Sequence, residues 1–67
     1  MKYTVEVQGI KDSRTTFDDD KEGLAFVKAN IDWAVKNRVF TQIYIYRENG
    51  TRVCGFTVNL DGSVNMF

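Results

Sequence analysis

The sequence predicts an α+β domain in which a mostly antiparallel, four- to five-stranded sheet carries one helix on one face. Three observations support this. Residues 2–8 and 42–46 alternate with the period of a strand, residues 20–37 repeat their apolar side chains with the period of a helix, and two glycine turns divide the last third of the chain. The predicted order is β-(β)-α-β-β-β, as a single domain over residues 1–67.

The first strand is predicted over residues 2–8, where Tyr3, Val5 and Val7 lie on one face and polar side chains lie on the other. Residues 14–17 favour a strand and are expected to return beside the first strand as a short hairpin arm. If they do not, the first strand and the helix form a βα unit, with the first strand parallel to the strand after the helix.

The helix is predicted to span residues 20–37. Asp19 is the expected N-cap, with Glu22 at capping-box spacing, and Asn37 is the expected left-handed residue at the C-terminus. Five apolar positions fall within an arc of roughly 100° and should face the sheet. They are Leu24, Val27, Ile31, Ala34 and Val35.

Phe26 and Trp33 lie one heptad apart, roughly 120–140° from the centre of that stripe. A single sheet covers such a flank only in part. Two readings remain open: the first strand and residues 9–17 fold over both rings, or the rings form a second patch that anchors a partner.

The Asn49-Gly50 pair predicts a two-residue type I′ turn. Counting outward places Arg47 opposite Arg52 on the helix side, where the like charges repel. The same register pairs Ile45 with Cys54, Ile43 with Phe56 and Thr41 with Val58 on the helix side, and Tyr46 with Val53, Tyr44 with Gly55 and Gln42 with Thr57 on the other side.

Residues 59–63 form the second turn, and a two-residue loop there would bury the amide of Asn65. A three-residue turn with Gly62 in the left-handed conformation keeps the core side apolar, so we predict that register. It leaves Phe67 on the tyrosine face or at its rim. It pairs Val58 with Val64 and Phe56 with Met66.

Strict alternation sends Tyr44 and Tyr46 to the side opposite Ile43 and Ile45, so this strand has two apolar faces and one helix covers only one of them. Tyrosine is also simply a good strand former. The functional interpretation is a small accessory or inhibitor module that binds a protein partner and self-associates as a homodimer, through this open face or an edge strand. The predicted contact residues are Tyr44, Tyr46, Val53, Thr57 and Phe67, with Phe26 and Trp33 as a second patch.

The alternative interpretation is a single-stranded nucleic-acid binder that stacks bases on the two tyrosines, with Arg47, Arg52 and Lys2 on phosphates. Nine basic and nine acidic residues give a formal net charge of zero, which favours the protein partner.

The chain has no histidine, and its one cysteine, Cys54, is expected to be a small buried hydrophobe. The usual zinc sets and histidine-based catalysis are therefore excluded. The acidic run from Asp18 to Glu22 matches no calcium loop and is explained by helix capping. We expect no enzyme activity, cofactor or metal, no membrane association, and a cytoplasmic location.

Overall fold

The computed structural model describes residues 2–9 and 12–67. Within this part, five strands form one antiparallel sheet in the order β2-β1-β3-β4-β5, and one helix packs on one of its faces. The α+β prediction is thus confirmed. The elements are β1 (Tyr3–Gln8), β2 (Ser13–Phe17), α1 (Asp20–Asn37), β3 (Thr41–Arg47), β4 (Arg52–Val58) and β5 (Val64–Met66).

The short arm before the helix is a strand. β2 runs antiparallel to β1, with Thr4 opposite Thr16, and β1 in turn runs antiparallel to β3, with Val7 opposite Ile43. The βα alternative with a parallel first strand is therefore wrong, because the chain turns back through β2 before it enters the helix.

The helix begins and ends close to the predicted positions. The Asp19 carboxylate accepts the backbone N–H of Lys21 at 2.8 Å, which confirms the N-cap. The left-handed residue is Arg38 (φ 54°, ψ 49°), so its assignment to Asn37 is wrong by one position. Asn37 stays helical, and its side-chain amide donates to the carbonyl of Trp33 at 2.8 Å.

The predicted apolar stripe of the helix is only partly correct. Val27 and Ala34 are buried and Ile31 packs against the core, but Leu24 is 66% exposed and Val35 is 36% exposed. The buried face of α1 is therefore rotated away from these two residues, towards the side of the helix that faces β1 and β2.

Phe26 accounts for this rotation. Its ring lies 5.1 Å from the ring of Phe17 at the end of β2, and both side chains pack against the core of Val5, Val7, Val27 and Ile43. Gly23 is buried beside Phe17, one turn before Phe26 on the same side of the helix. The burial of an aromatic side chain outweighs that of Leu24.

The β3–β4 hairpin follows the predicted register from Thr41 to Ile45 and then departs from it. The turn contains three residues: Arg47 accepts the N–H of Gly50 at 2.9 Å and donates its own N–H to Thr51 at 2.8 Å. Gly50 has a positive φ of 87° and Asn49 does not, so the predicted type I′ turn is wrong.

The longer turn is compensated by a β-bulge. Tyr46 pairs with Arg52, whereas Ile45 still pairs with Cys54, so Val53 is an extra residue without a partner on β3. Its predicted pairing with Tyr46 is wrong. The bulge turns apolar Val53 to the helix side, where it lines a groove with Leu24, and turns charged Arg52 to the other face.

The β4–β5 turn has the predicted three-residue form. Gly62 has a φ of 88°, and the predicted pairs Val58–Val64 and Phe56–Met66 are observed. Ser63 donates to the Asp61 carboxylate from its hydroxyl group at 2.6 Å and from its backbone N–H at 2.9 Å. These bonds hold the pKa of the Asp61 carboxyl below its usual value.

Because of the orientation of the helix, we expect truncation of Ile43 and truncation of Leu24 to lower the free energy of unfolding by different amounts. Ile43→Val removes one methylene group from a fully buried position and should cost about 0.5–1.5 kcal/mol of unfolding free energy. Leu24→Ala removes a larger group from an exposed position and should change stability by less than about 0.5 kcal/mol. Urea unfolding followed by circular dichroism measures both. A greater loss for Leu24→Ala would contradict the observed orientation of the helix.

Candidate functional site

The face of the sheet opposite α1, called the open face below, is covered by no helix of the described residues. Its β1–β2 half is polar. The hydroxyl groups of Thr4 and Thr16 lie 3.2 Å apart, and the Glu6 carboxylate accepts the side-chain amide of Gln8 and lies 4.0 Å from the guanidinium of Arg14. These side chains satisfy one another, so this half resembles an ordinary solvated sheet surface.

The β3–β5 half of the open face is aromatic. The ring of Tyr44 is stacked on that of Tyr46, with centroids 6.4 Å apart and planes inclined by 29°. On its other side Tyr44 meets Phe67 edge to face, at 5.7 Å and 76°. We call these three rings, together with Arg52, the aromatic cluster.

Arg52 lies over two of these rings. Its guanidinium carbon is 5.2 Å from the centroid of Phe67 and 6.0 Å from that of Tyr44. Such cation–π contacts contribute about 0.5–1 kcal/mol at exposed sites. They leave the edges of the guanidinium free to donate hydrogen bonds in a fixed fork, so the cluster presents an oriented cation among apolar rings.

Gly55 lies on β4 beneath the aromatic cluster. It exchanges backbone hydrogen bonds with Phe67, at 2.7 Å and 2.9 Å, and the phenyl ring lies directly above it. A Cβ atom at position 55 would come within 2.7 Å of that ring. The missing side chain of Gly55 leaves a gap opposite Tyr44, and Phe67 fills it, as an aromatic side chain often does over a strand glycine.

A side-chain hydrogen bond holds one end of the cluster. The Tyr44 hydroxyl group donates to the side-chain oxygen of Gln42 at 2.9 Å, which fixes the outer end of the ring. Both tyrosines are half-buried, while Phe67 keeps 47% of its surface exposed. A side chain held in this way, such as Tyr44, loses less conformational entropy when it binds another molecule.

The structure brings together three of the predicted contact residues, namely Tyr44, Tyr46 and Phe67. Thr57 lies on the same face, opposite Asn65 of β5. Val53 does not belong to this surface, because the bulge directs it to the helix side.

The second predicted patch lies on the other side of the sheet. Phe26 and Trp33 both line a cleft of about 450 Å³ between α1 and the β1–β2 hairpin. Phe26 packs against Phe17, as expected if its ring is buried within the chain. Trp33 remains 54% exposed. The patch is therefore one exposed ring at the rim of a cleft, remote from the open face.

Arg52 is the residue of the cluster that sequence reasoning assigned to the wrong face. The predicted two-residue turn placed it opposite Arg47 on the apolar helix side. This unfavourable pairing of like charges is the feature of the sequence that argues against a two-residue turn. A three-residue turn ending in Gly50 was the alternative. It exchanges the faces of Arg52 and Val53 and so places the charge in solvent and the valine against apolar side chains.

No family model, curated protein or solved structure matches this chain. Within residues 2–9 and 12–67 no helix is long and apolar enough to cross a membrane. The same residues contain no group of three or more cysteine or acidic side chains placed to hold a metal ion. The interpretation of function therefore depends on the geometry of the open face.

The contact between Gly55 and Phe67 predicts a coupled response to mutation. Gly55→Ala should expel the ring and cost about 0.5–1.5 kcal/mol, the value of an aromatic pair. Phe67→Ala should then add little in the Gly55→Ala background, whereas its effect should be additive with that of Thr16→Ala on the distant strand β2. Urea unfolding of the single and double variants measures this. Full additivity of Gly55→Ala and Phe67→Ala would show that the ring does not lie on the glycine.

Proposed function

We propose that this chain is a non-enzymatic, cytoplasmic protein-binding module that acts as an accessory factor or inhibitor through the aromatic cluster. The observation that carries the proposal is the preassembled group of three rings and one arginine on an uncovered sheet face. Tyrosine, other aromatic residues and arginine are the residue types enriched at the energetic centres of protein interfaces.

The charge of the cluster indicates the chemistry of the partner. On the open face Glu6 and Arg14 lie close enough to compensate each other, while Arg52 lies over two rings and forms no salt bridge with a carboxylate of residues 2–9 and 12–67. A carboxylate of the partner would form a charge-assisted pair with Arg52 beside the rings, where water is partly excluded. The favoured partner therefore presents an apolar side chain and an acidic residue side by side.

The same charge argues against the aromatic cluster as the self-association surface. Two copies packed cluster to cluster around a two-fold axis would bring their Arg52 side chains together between the sheets. Like charges in a partly dehydrated contact repel each other strongly. The proposed binding surface is therefore directed at a foreign protein.

Single-stranded nucleic acid is the second candidate, and the position of Arg52 favours it. An arginine beside Tyr44 and Phe67 could contact a phosphate while bases stack on exposed ring surface. Two features weigh against it: the zero net charge of the chain, and the Glu6 carboxylate opposite Tyr44 on the same face.

A phage-displayed library of random linear peptides tests the protein-binding proposal. Selection on the wild-type chain should enrich peptides that place Asp or Glu next to an aromatic or aliphatic residue. Arg52→Ala and Tyr46→Ser should each weaken binding of a selected peptide about tenfold or more, because each removes a hot-spot side chain worth over about 1.4 kcal/mol. Fluorescence anisotropy with the labelled peptide measures the affinities.

Arg14→Ala is the matched control, since it removes an arginine from the polar half of the same face. Its peptide affinity should equal that of the wild type. Enrichment of no peptide, or an equal loss for Arg14→Ala and Arg52→Ala, would reject the aromatic cluster as the binding surface.

A fluorescein-labelled oligothymidylate distinguishes the second candidate. If the chain binds protein rather than nucleic acid, anisotropy should show no binding above the weak non-specific level, even at low salt. A nucleic-acid site would instead bind with an affinity that falls steeply as salt rises. Salt-dependent binding that is lost in Tyr46→Ser and kept in Arg14→Ala would favour the nucleic-acid alternative.

A further inference from the structure

The two edge strands of the sheet, β2 and β5, differ in how well they are protected against pairing with a further strand. At one edge, β2 carries polar side chains and Arg14, whose side chain is 69% exposed, and charges of this kind discourage edge-to-edge pairing. At the other edge, β5 has no charged residue, and Val64 and Met66 are 41% and 72% exposed. The helix does not shield this edge, because α1 packs across β1 to β4 only.

The backbone of β5 offers a defined set of free hydrogen-bonding groups. Phe67 exchanges both bonds with Gly55, and Ser63 accepts the N–H of Asn59, so these two residues direct their backbone groups towards β4. Because backbone groups alternate in direction along a strand, Val64 and Met66 direct theirs away from the sheet.

These free groups are complementary to themselves. We propose that a second copy of this chain pairs with β5 as an antiparallel strand, around a two-fold axis at Asn65. Val64 of one copy then lies opposite Met66 of the other, and each pair exchanges N–H···O=C bonds in both directions. Both pairs use only the groups that β4 leaves free.

The side chains agree with this register. Val64 and Met66 share the helix side of the sheet with Phe56 and Val58, so the pairing assembles four apolar side chains from two copies into one cluster. It brings no two like charges together, because residues 62–67 contain none. The pairing joins two five-stranded sheets into one continuous sheet with both helices on the same side.

The arrangement is independent of the proposed use of the open face. The two-fold axis stands perpendicular to the sheet, so both aromatic clusters stay uncovered on the side opposite the helices. A three-residue strand buries less area than the roughly 1,200–2,000 Å² of standard stable interfaces, so the dimer forms reversibly as concentration rises.

Sedimentation equilibrium over a broad concentration series tests the proposal. The wild type should show a reversible monomer–dimer equilibrium, and Met66→Lys should weaken it about tenfold or more, since an edge lysine must lose water on pairing. Leu24→Lys is the matched control, because Leu24 is similarly exposed (66%) on the helix and away from β5. Circular dichroism melting verifies that both variants fold.

Tyr46→Ser separates this proposal from the proposed function. It should weaken peptide binding about tenfold or more and leave the monomer–dimer equilibrium unchanged. A chain that stays monomeric at every concentration, or a dimer equally stable in Met66→Lys and Leu24→Lys, would overturn the edge pairing. A dimer lost in Tyr46→Ser and kept in Met66→Lys would place the contact on the open face instead.

Disulfide trapping tests the register in a Cys54→Ser background. Asn65→Cys places two thiols at the axis, in a pair whose Cα atoms are about 4.5 Å apart and within the range of a disulfide. Val64→Cys faces Met66 of the second copy, so its thiols are too far apart. Non-reducing gel electrophoresis after mild oxidation should show a covalent dimer for Asn65→Cys only. Equal cross-linking of both variants would reject the register.

Discussion

The packing of one helix across β1 to β4 is the interaction on which the rest of the structure depends. Val27 and Ala34 of α1 are buried, as are Val5 and Ile43 on the two neighbouring central strands. A chain of 67 residues has only this one helix within its described part, so the opposite face of the sheet and the β5 edge remain outside its reach. Both surfaces follow from the unequal sizes of the helix and the sheet.

The bulge at Val53 decides the chemistry of the open face. Without it, Arg52 would lie against the apolar helix side, and Val53 would complete a purely apolar surface with Tyr46. With it, the arginine lies over the rings of Tyr44 and Phe67, and the face combines aromatic area with one positive charge. One additional residue in the turn therefore adds a positive charge to the aromatic half of the open face.

The two proposals assign separate tasks to the open face and to the β5 edge. The aromatic cluster combines three rings in mutual contact with one positive charge, the residue types on which the proposed recognition of a different protein rests. The edge is short, apolar and complementary to itself, which suits a second copy of the same chain. A paired assembly would present two aromatic clusters on one side of a continuous sheet, and two linked sites bind a repeated partner more tightly than one.

The sequence by itself determined the elements, their order along the chain, the register of β3 with β4 from Thr41 to Ile45 and that of β4 with β5, because alternation, helical periodicity and the turn at Gly62 act over short distances along the chain. It did not determine the pairing of β1 with β3, which joins strands that are distant in the chain. It also placed Tyr44, Tyr46 and Phe67 on one face. Only the tertiary structure decided that Phe26, rather than Leu24, turns towards the core, because that choice depends on contact with Phe17 in a different element. The face of Arg52 was decided in the same way. Two-residue and three-residue turns at Asn49-Gly50 differ little locally. The folded sheet selects the three-residue turn, because this turn places a valine on the apolar side and a charge in solvent.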